Sequence, residues 1–293
     1  MTSQVLLSIF FAVSASFFYA SSDIFVRAVI RDSEPKTAVF TSLTVNMVVL
    51  WLLSFLFTDV TLNFWDWRYF ILCGILGPVL GRFFKYASLQ KLGITLSSPI
   101  VSSHPLIAVV IAIIFIGERL SLTEYTAVFL VIAGGTMIVS VRRTENKVVN
   151  KKYFILPLLA ALGYGTSHIF RKMGMNLVPS PLVAGAVMTM SSWLFLGLYL
   201  IASQQYRNMR VNKRQLLFFS GAGLCTCTAI PLLYLAYKIG NVITVAPFAN
   251  ISPLFALILS RIFYHKEEIF SYPVVIGTLL IICGTILLIS SRL

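Results

Sequence analysis

The sequence predicts an all-α integral membrane protein, with ten transmembrane helices arranged as two inverted five-helix repeats. Three observations carry that expectation. The chain is 58% hydrophobic and only 11% charged, whereas a soluble domain carries about a quarter charged residues. Its apolar runs are the length that about 30 Å of hydrocarbon demands of a helix rising 1.5 Å per residue. The polar and proline signatures of the first half return, in the same order, in the second. The strand-length alternation of a membrane barrel is absent.

The first span is placed at 5–26. The preceding MTSQ has no Lys or Arg, and the span ends in SSDIFVR rather than a small-residue cleavage site, so it reads as a retained helix and not a cleaved leader. The next four spans are placed at 37–57, 68–89, 95–116 and 122–141. After the polar run RRTENKVVNKK come spans at 153–172 and 181–202. After SQQYRNMRVNKRQ come the last three, at 214–237, 242–263 and 271–290. The other connections are short and leave no room for a soluble domain. Trp65, Trp67, Tyr206, Tyr264 and Tyr272 fall at span edges and read as interfacial anchors. Cys73, Cys225, Cys227 and Cys283 lie in apolar runs without metal-ligand spacing and read as small packing residues.

The internal repeat fixes the organisation. Tyr19-Ala-Ser-Ser-Asp-Ile-Phe aligns with Tyr164-Gly-Thr-Ser-His-Ile-Phe, so Asp23 faces His168 and Arg27 faces Lys172 at an offset of 145. Pro99 and Pro105 align with Pro247 and Pro253 at an offset of 148. Glu118 of GERL aligns with Glu267 of KEEI, and Gly135-Thr136 with Gly284-Thr285, at 149. One match is cheap, but four in the same order are not. The expected units are 1–146 and 147–293, together forming one transport domain. Because five is odd, the second unit enters the membrane from the opposite side. Such inverted repeats belong to secondary transporters, with the substrate near the midplane between the halves.

Two halves of five spans, each with a fourth helix carrying two prolines six apart, an acidic turn and a Gly-rich fifth helix, resemble the EamA-type transporters of the drug/metabolite transporter superfamily. The resemblance covers essentially the whole chain. It implies carriage of a small molecule across the bilayer without covalent chemistry or a cofactor, with substrates ranging over amino acids, sugars, nucleotide derivatives, cations and drugs. The KEEI copy departs from GERL: it has lost the Gly and carries Glu268 in place of the Arg, so that turn is expected to pack differently.

Polar residues inside spans are costly in lipid and normally face protein or water. Ser102, His104 and Asn250 stand beside the paired prolines Pro99, Pro105, Pro247 and Pro253, which remove backbone donors and bend helices. They are expected to line a central cavity; the alternative is that the small residues only permit close helix packing. Asn46 in the second span is a further candidate for the lining. Arg82 and Lys85 in GRFFKY share a helix face, and the matching eighth-span positions are uncharged. They suit a carboxylate or phosphate on the substrate, an internal ion pair with Asp23, or, for Lys85, snorkelling to the interface. Asp23 and His168 are candidates for coupling or gating, or for polar pairs near headgroups. No metal site and no catalytic residue is expected, since HExxH, GxSxG and acidic metal clusters are all missing. The lack of a P-loop leaves an ion gradient, a counter-substrate or the substrate gradient as the driving force.

The net charge of +13 sits mostly in connections, so nucleic acid is not the expected partner. Sixteen Lys and Arg fall on one side of the span map and six on the other, counting the bases of RK at 171–172 with the six. The positive-inside rule then puts both termini outside, whereas the resemblance implies termini inside. The expected setting is the inner (plasma) membrane of a prokaryotic cell, as a multi-pass monomer or homodimer. A lipid or lipid-phosphate flippase on the same scaffold is the alternative function.

Overall fold

The computed structural model describes residues 2–29, 33–60, 63–117, 121–140, 151–209, 211–264 and 272–291, and every long element among them is helical. The first half supplies α1 (Thr2–Arg27), α2 (Pro35–Phe57), α3 (Arg68–Gly74), α4 (Arg82–Ser102), α5 (His104–Ile111) and α6 (Leu122–Ser140). The second supplies α7 (Ile155–Leu177), α8 (Pro181–Ala202), α9 (Lys213–Ile239), α10 (Val242–Ala249), α11 (Ser252–Tyr264) and α12 (Tyr272–Ser290). Wider π-helical turns at Ile75–Gly81 and Ala112–Ile116 join α3 to α4 and extend α5. Of the acidic turns, Glu118, Arg119 and Leu120 of GERL and all of KEEI, with Glu267, lie outside the described residues.

Helix ends follow local chemistry. Pro35 opens α2 and Pro181 opens α8, where a missing N–H costs nothing. Asn212 and Gln215 close a reciprocal capping box on α9. At α6 the Ser121 N–H and hydroxyl both donate to Glu124, which explains why that acid is buried. Pro78 sits in the first π turn, where the altered register absorbs its missing donor.

Five helices among the described residues are long and apolar enough to cross a membrane: Ser3–Val26, Lys36–Phe57, Lys152–Leu177, Pro181–Ala202 and Lys213–Ile239. Shorter apolar helices run over Ile100–Ile116, Leu122–Met137 and Val242–Ala256. Two differences from the sequence expectation matter. The backbone is helical from 68 through 102, so no break occurs at 90–94, where the third and fourth spans were to be joined. Gln90, Lys91 and Leu92 are strong helix formers, whereas the matching joint in the second half is interrupted by Gly240 and Asn241, both extended. Helix α7 runs on to Leu177 rather than stopping at 172. It ends where Val178 precedes Pro179 and is pushed out of the helical region.

The halves interlock by exchanging partners. Helix α1 packs on α9, and α7 packs on α3, the π turn and α4. Each half thus lays its first helix against the third-span helix of the other. Helix α2 meets α8, α5 meets α10, and α6 meets α12. The α6–α12 contact is backbone-close at both ends. A Cβ on Gly134 would fall 2.4 Å from the Gly277 carbonyl oxygen, and one on Gly284 would fall 2.7 Å from that of Ala127. Small residues let such helices approach closely where lipid gives no hydrophobic drive. Large apolar side chains point outward instead, Phe10, Leu52, Phe55, Phe115 and Leu217 among them.

Candidate functional site

Both halves are broken at the same repeat position, and the breaks meet. Pro105 has no N–H to give the Val101 carbonyl; the N–H of Ser103 turns back to Ile100 and Val101 instead, and the helix stops there. In the second half Pro253 stands just inside α11, and the chain breaks at Asn250–Ile251 through the same short turn, with Asn250 N–H reaching Pro247 and Ile251 N–H reaching Phe248. Pro247 is buried within α10, and Pro99 falls within α4, ahead of its break. Ser102 and Asn250 are repeat equivalents, at the offset of 148. The Asn250 amide donates to the Ser102 carbonyl oxygen at 2.7 Å.

His104 follows directly on the first break. Its ring stacks on His168 of α7, centroids 5.2 Å apart and planes within 18°. Close approach is possible because Gly165 lies against the His104 backbone, where a Cβ would stand 2.8 Å from its carbonyl oxygen. Tyr164 tilts against His104 at 5.6 Å. On the far side of His168, Nδ1 is in hydrogen-bond contact with the Tyr237 hydroxyl of α9. The two histidines with highest functional promise in the sequence are therefore one stacked pair at the junction of the halves. His104 Nδ1 is buried and has no hydrogen-bond partner among the described residues.

One residue of this group was not singled out from the sequence. Arg171 was placed at the end of the sixth span and counted with the bases of that membrane side; with α7 running to Leu177 it lies about 9 Å, at 1.5 Å per residue, inside the helix end. Tyr164, His168 and Arg171 are spaced i, i+4, i+7, so they fall on one face. That stripe was a legible signal, hidden by ending the span at 172. Arg171 lies in Coulombic range of Tyr19 on α1, Cys73 on α3, and Tyr234 and Tyr237 on α9. Its guanidinium stands over the Tyr234 ring at 6.0 Å, and Tyr234 donates to Cys73 Sγ at 3.7 Å. Arg171 Nε is buried without a hydrogen-bond partner, and no carboxylate among the described residues is within ion-pair distance of the side chain.

Arg82 and Lys85, at the start of α4, face the same region: Arg82 is in Coulombic range of Tyr19, and Lys85 of His104. Tyr19, Arg82, Lys85, Ser102, His104, Tyr164, Arg171 and Asn250 are all part-exposed although surrounded by helices. Asp23 stands one turn beyond Tyr19 on α1 and is exposed. Lys172, the repeat mate of Arg27, points away from the site. Its ammonium donates to the carbonyls of Tyr237 at 2.9 Å and Gly240 at 2.8 Å, closing the C-terminal end of α9.

Asn46 is placed apart from this group. It is buried between α2 and α9. Oriented so that its nitrogen meets acceptors, the amide donates to the carbonyls of Gly223 at 2.7 Å and Ser42 at 3.3 Å, and Thr226 donates to its oxygen at 3.1 Å. Nearby, between α2 and α9, is a recess of about 500 Å³ lined by Val49, Leu53, Leu224, Pro231 and neighbouring apolar residues. Its lining carries no base.

Comparison with known proteins agrees with this architecture. The model of the EamA-like transporter family matches the chain twice, over residues 6–140 and 151–290. An uncharacterized transporter of Archaeoglobus fulgidus is 24% identical over 284 residues, covering 97% of this chain and 98% of its own length. An uncharacterized protein of Methanocaldococcus jannaschii is 32% identical over 136 residues, 46% of this chain but 93% of its own. A solved crystal structure superposes with a TM-score of 0.78 at 14% identity, covering 96% of this chain and 95% of that one.

Proposed function

The chain belongs to the EamA-like transporter family, and from that premise we propose that it is a secondary transporter that moves a small polar metabolite by alternating access. The observation that carries the reading is the contact between Asn250 and Ser102. Two helices broken at equivalent positions of the two repeats touch at their breaks, and breaks at membrane depth are tolerated where they face protein or a water-filled cavity. We place ten spans in the bilayer as two inverted units, 1–146 and 147–293. The exchanged helix partners support this, and so does the relative from M. jannaschii, which is about the length of one unit.

In this reading Ser102, His104 and Asn250 line the substrate path. Arg82 and Lys85 make it electropositive, favouring an anionic or zwitterionic cargo. His168, held by Tyr237 and stacked on His104, joins the two halves and is the coupling or gating element on one side; Asp23 is its counterpart on the other. Asn46 serves the path indirectly, by holding α2 to α9. The membrane is the plasma membrane of a prokaryotic cell.

The test is counterflow in proteoliposomes. Compounds that raise the apparent stability of the purified protein are loaded inside, and labelled compound is supplied outside. Saturable, protein-dependent accumulation above equilibrium is expected for at least one of them. If every stabilising compound fails to exchange, the protein binds but does not carry, and the proposal is wrong.

A further inference from the structure

The basic groups of the central site are not equivalent, and the internal repeat separates them. Lys172 has a basic repeat mate, Arg27. A position that is basic in both units belongs to the shared scaffold, and Lys172 is spent on the carbonyls that end α9. Arg171 has an apolar mate, Val26. It makes no ion pair and leaves Nε without a hydrogen-bond partner among the described residues. A guanidinium in low dielectric without a counter-ion is strongly unfavourable; the Tyr234 ring beneath it offsets only part of that cost, and the other unit carries no base at this position.

We infer that Arg171 is the anion anchor of the central site, pairing with an oxyanion, carboxylate or phosphate monoester, on the transported molecule. This rests on the transport reading given above. The surroundings fit an oxyanion. The hydroxyl of Tyr19 lies in range of Arg171 and Arg82 together, whereas that of Tyr234 is already given to Cys73. Phenolic hydroxyls are donors that a carboxylate or phosphate accepts. The facing turn presents Gly77, whose Cβ position would lie 4.0 Å from the Arg171 terminal nitrogen, so on that side the guanidinium meets backbone rather than a side chain. Among the described residues of the helices around it (α1, α3, α4, α5, α7, α9 and α10) the acid is Asp23, at the exposed end of α1. Arg82 and Lys85 are likewise unmatched by charge in the other unit; they add to the field that draws an anion in. The forked guanidinium supplies two parallel donors to one oxyanion, which an ammonium does not.

The experiment uses the full chain in detergent and measures thermal stabilisation by lactate and glycerol 3-phosphate, by their neutral counterparts lactamide and glycerol, and by ethanolamine as the cation. Saturable stabilisation by lactate or by glycerol 3-phosphate, and none by the matching neutral compound, is expected; which of the two acts tells carboxylate from phosphate. Arg171→Gln should weaken apparent affinity for that anion by about tenfold or more, the equivalent of one charged hydrogen bond lost. Arg171→Lys should weaken it less, and Lys172→Gln should leave it unchanged. Should Arg171→Gln not fold, Arg171→Lys decides: reduced anion affinity at unaltered resting stability supports the anchor, and unaltered affinity overturns it. Stabilisation by neutral or cationic compounds only, or equal anion affinity in Arg171→Gln, also overturns it. Counterflow separates the two readings. Intact counterflow of a neutral or cationic compound in Arg171→Gln removes the anchor and keeps the carrier. Anion binding without counterflow keeps the anchor and removes the carrier.

Discussion

The Asn250 side chain donates a hydrogen bond to the Ser102 backbone carbonyl at 2.7 Å, and these two residues occupy the same position in the two repeats. A residue that touches its own repeat equivalent lies on the axis relating the units. The carbonyl is free for a side-chain donor because the helix ends there. The bond therefore reports the two breaks and their meeting point at once. Asn250→Ala removes the donor and should cost about 1 kcal/mol of stability. Transport should fall further than that loss explains, because the breaks would no longer be held together. Uptake and thermal unfolding measured on the same preparation check this; a fall in stability with full uptake would refute it.

Lys172 and Arg171 are neighbours in sequence with opposite assignments. Lys172→Gln loses charged hydrogen bonds to the Tyr237 and Gly240 carbonyls and should cost about 1.5–3 kcal/mol. Thermal unfolding should show a clear drop in Lys172→Gln, with ligand affinity, measured well below the transition, unchanged.

Asn46→Ala should act on stability alone. The amide is 2% exposed and is shared by Gly223, Ser42 and Thr226 across the α2–α9 contact. Its loss should cost about 1–3 kcal/mol, since Thr226 is left with one partner fewer in a buried place. Changed substrate affinity in a well-folded Asn46→Ala protein would show instead that this residue reaches the transport path.

The α6–α12 contact has no room for a methyl group. Gly134→Ala places its Cβ against the Gly277 carbonyl oxygen, so the helices must separate. Overpacking of this kind costs about 1–3 kcal/mol. The measurable outcome is a lower unfolding temperature for Gly134→Ala, while Gly135→Ala, whose Cβ would have 4.0 Å to the nearest neighbour, the Asn250 carbonyl oxygen, should be tolerated.

Cysteines report exposure of the path directly. In a background lacking the four native cysteines, Ser102→Cys and His104→Cys should react with small aqueous thiol reagents and be protected by substrate. Asn46→Cys, sealed between helices, should not react. Ser3→Cys in intact cells tests orientation. The charge count, which favours termini outside, becomes more lopsided once Arg171 and Lys172 lie within α7 rather than at its end.

What the sequence determined by itself is what depends on short-range pattern. Apolar runs of helical length, the order of signatures in both halves and the paired prolines are local, and the backbone breaks beside Pro105 and Pro253 follow from their missing donors. The sequence also named His104, His168, Ser102 and Asn250, because polar groups at depth are conspicuous. The tertiary structure alone decided which of them meet. That depends on the rotation of each helix about its axis and on contacts between residues more than a hundred positions apart, which no local period encodes. Helix α7 shows the difference most sharply. A stop drawn five residues early left Arg171 and Lys172 at the very end of the sixth span. The true stop before Pro179 carries both into the protein, and there only the packing of α7 against α9 and the π turn turns one base to the carbonyls of Tyr237 and Gly240 and the other toward Gly77 and the Tyr234 ring. Adjacent residues on a helix point about 100° apart, so the two bases meet different surroundings.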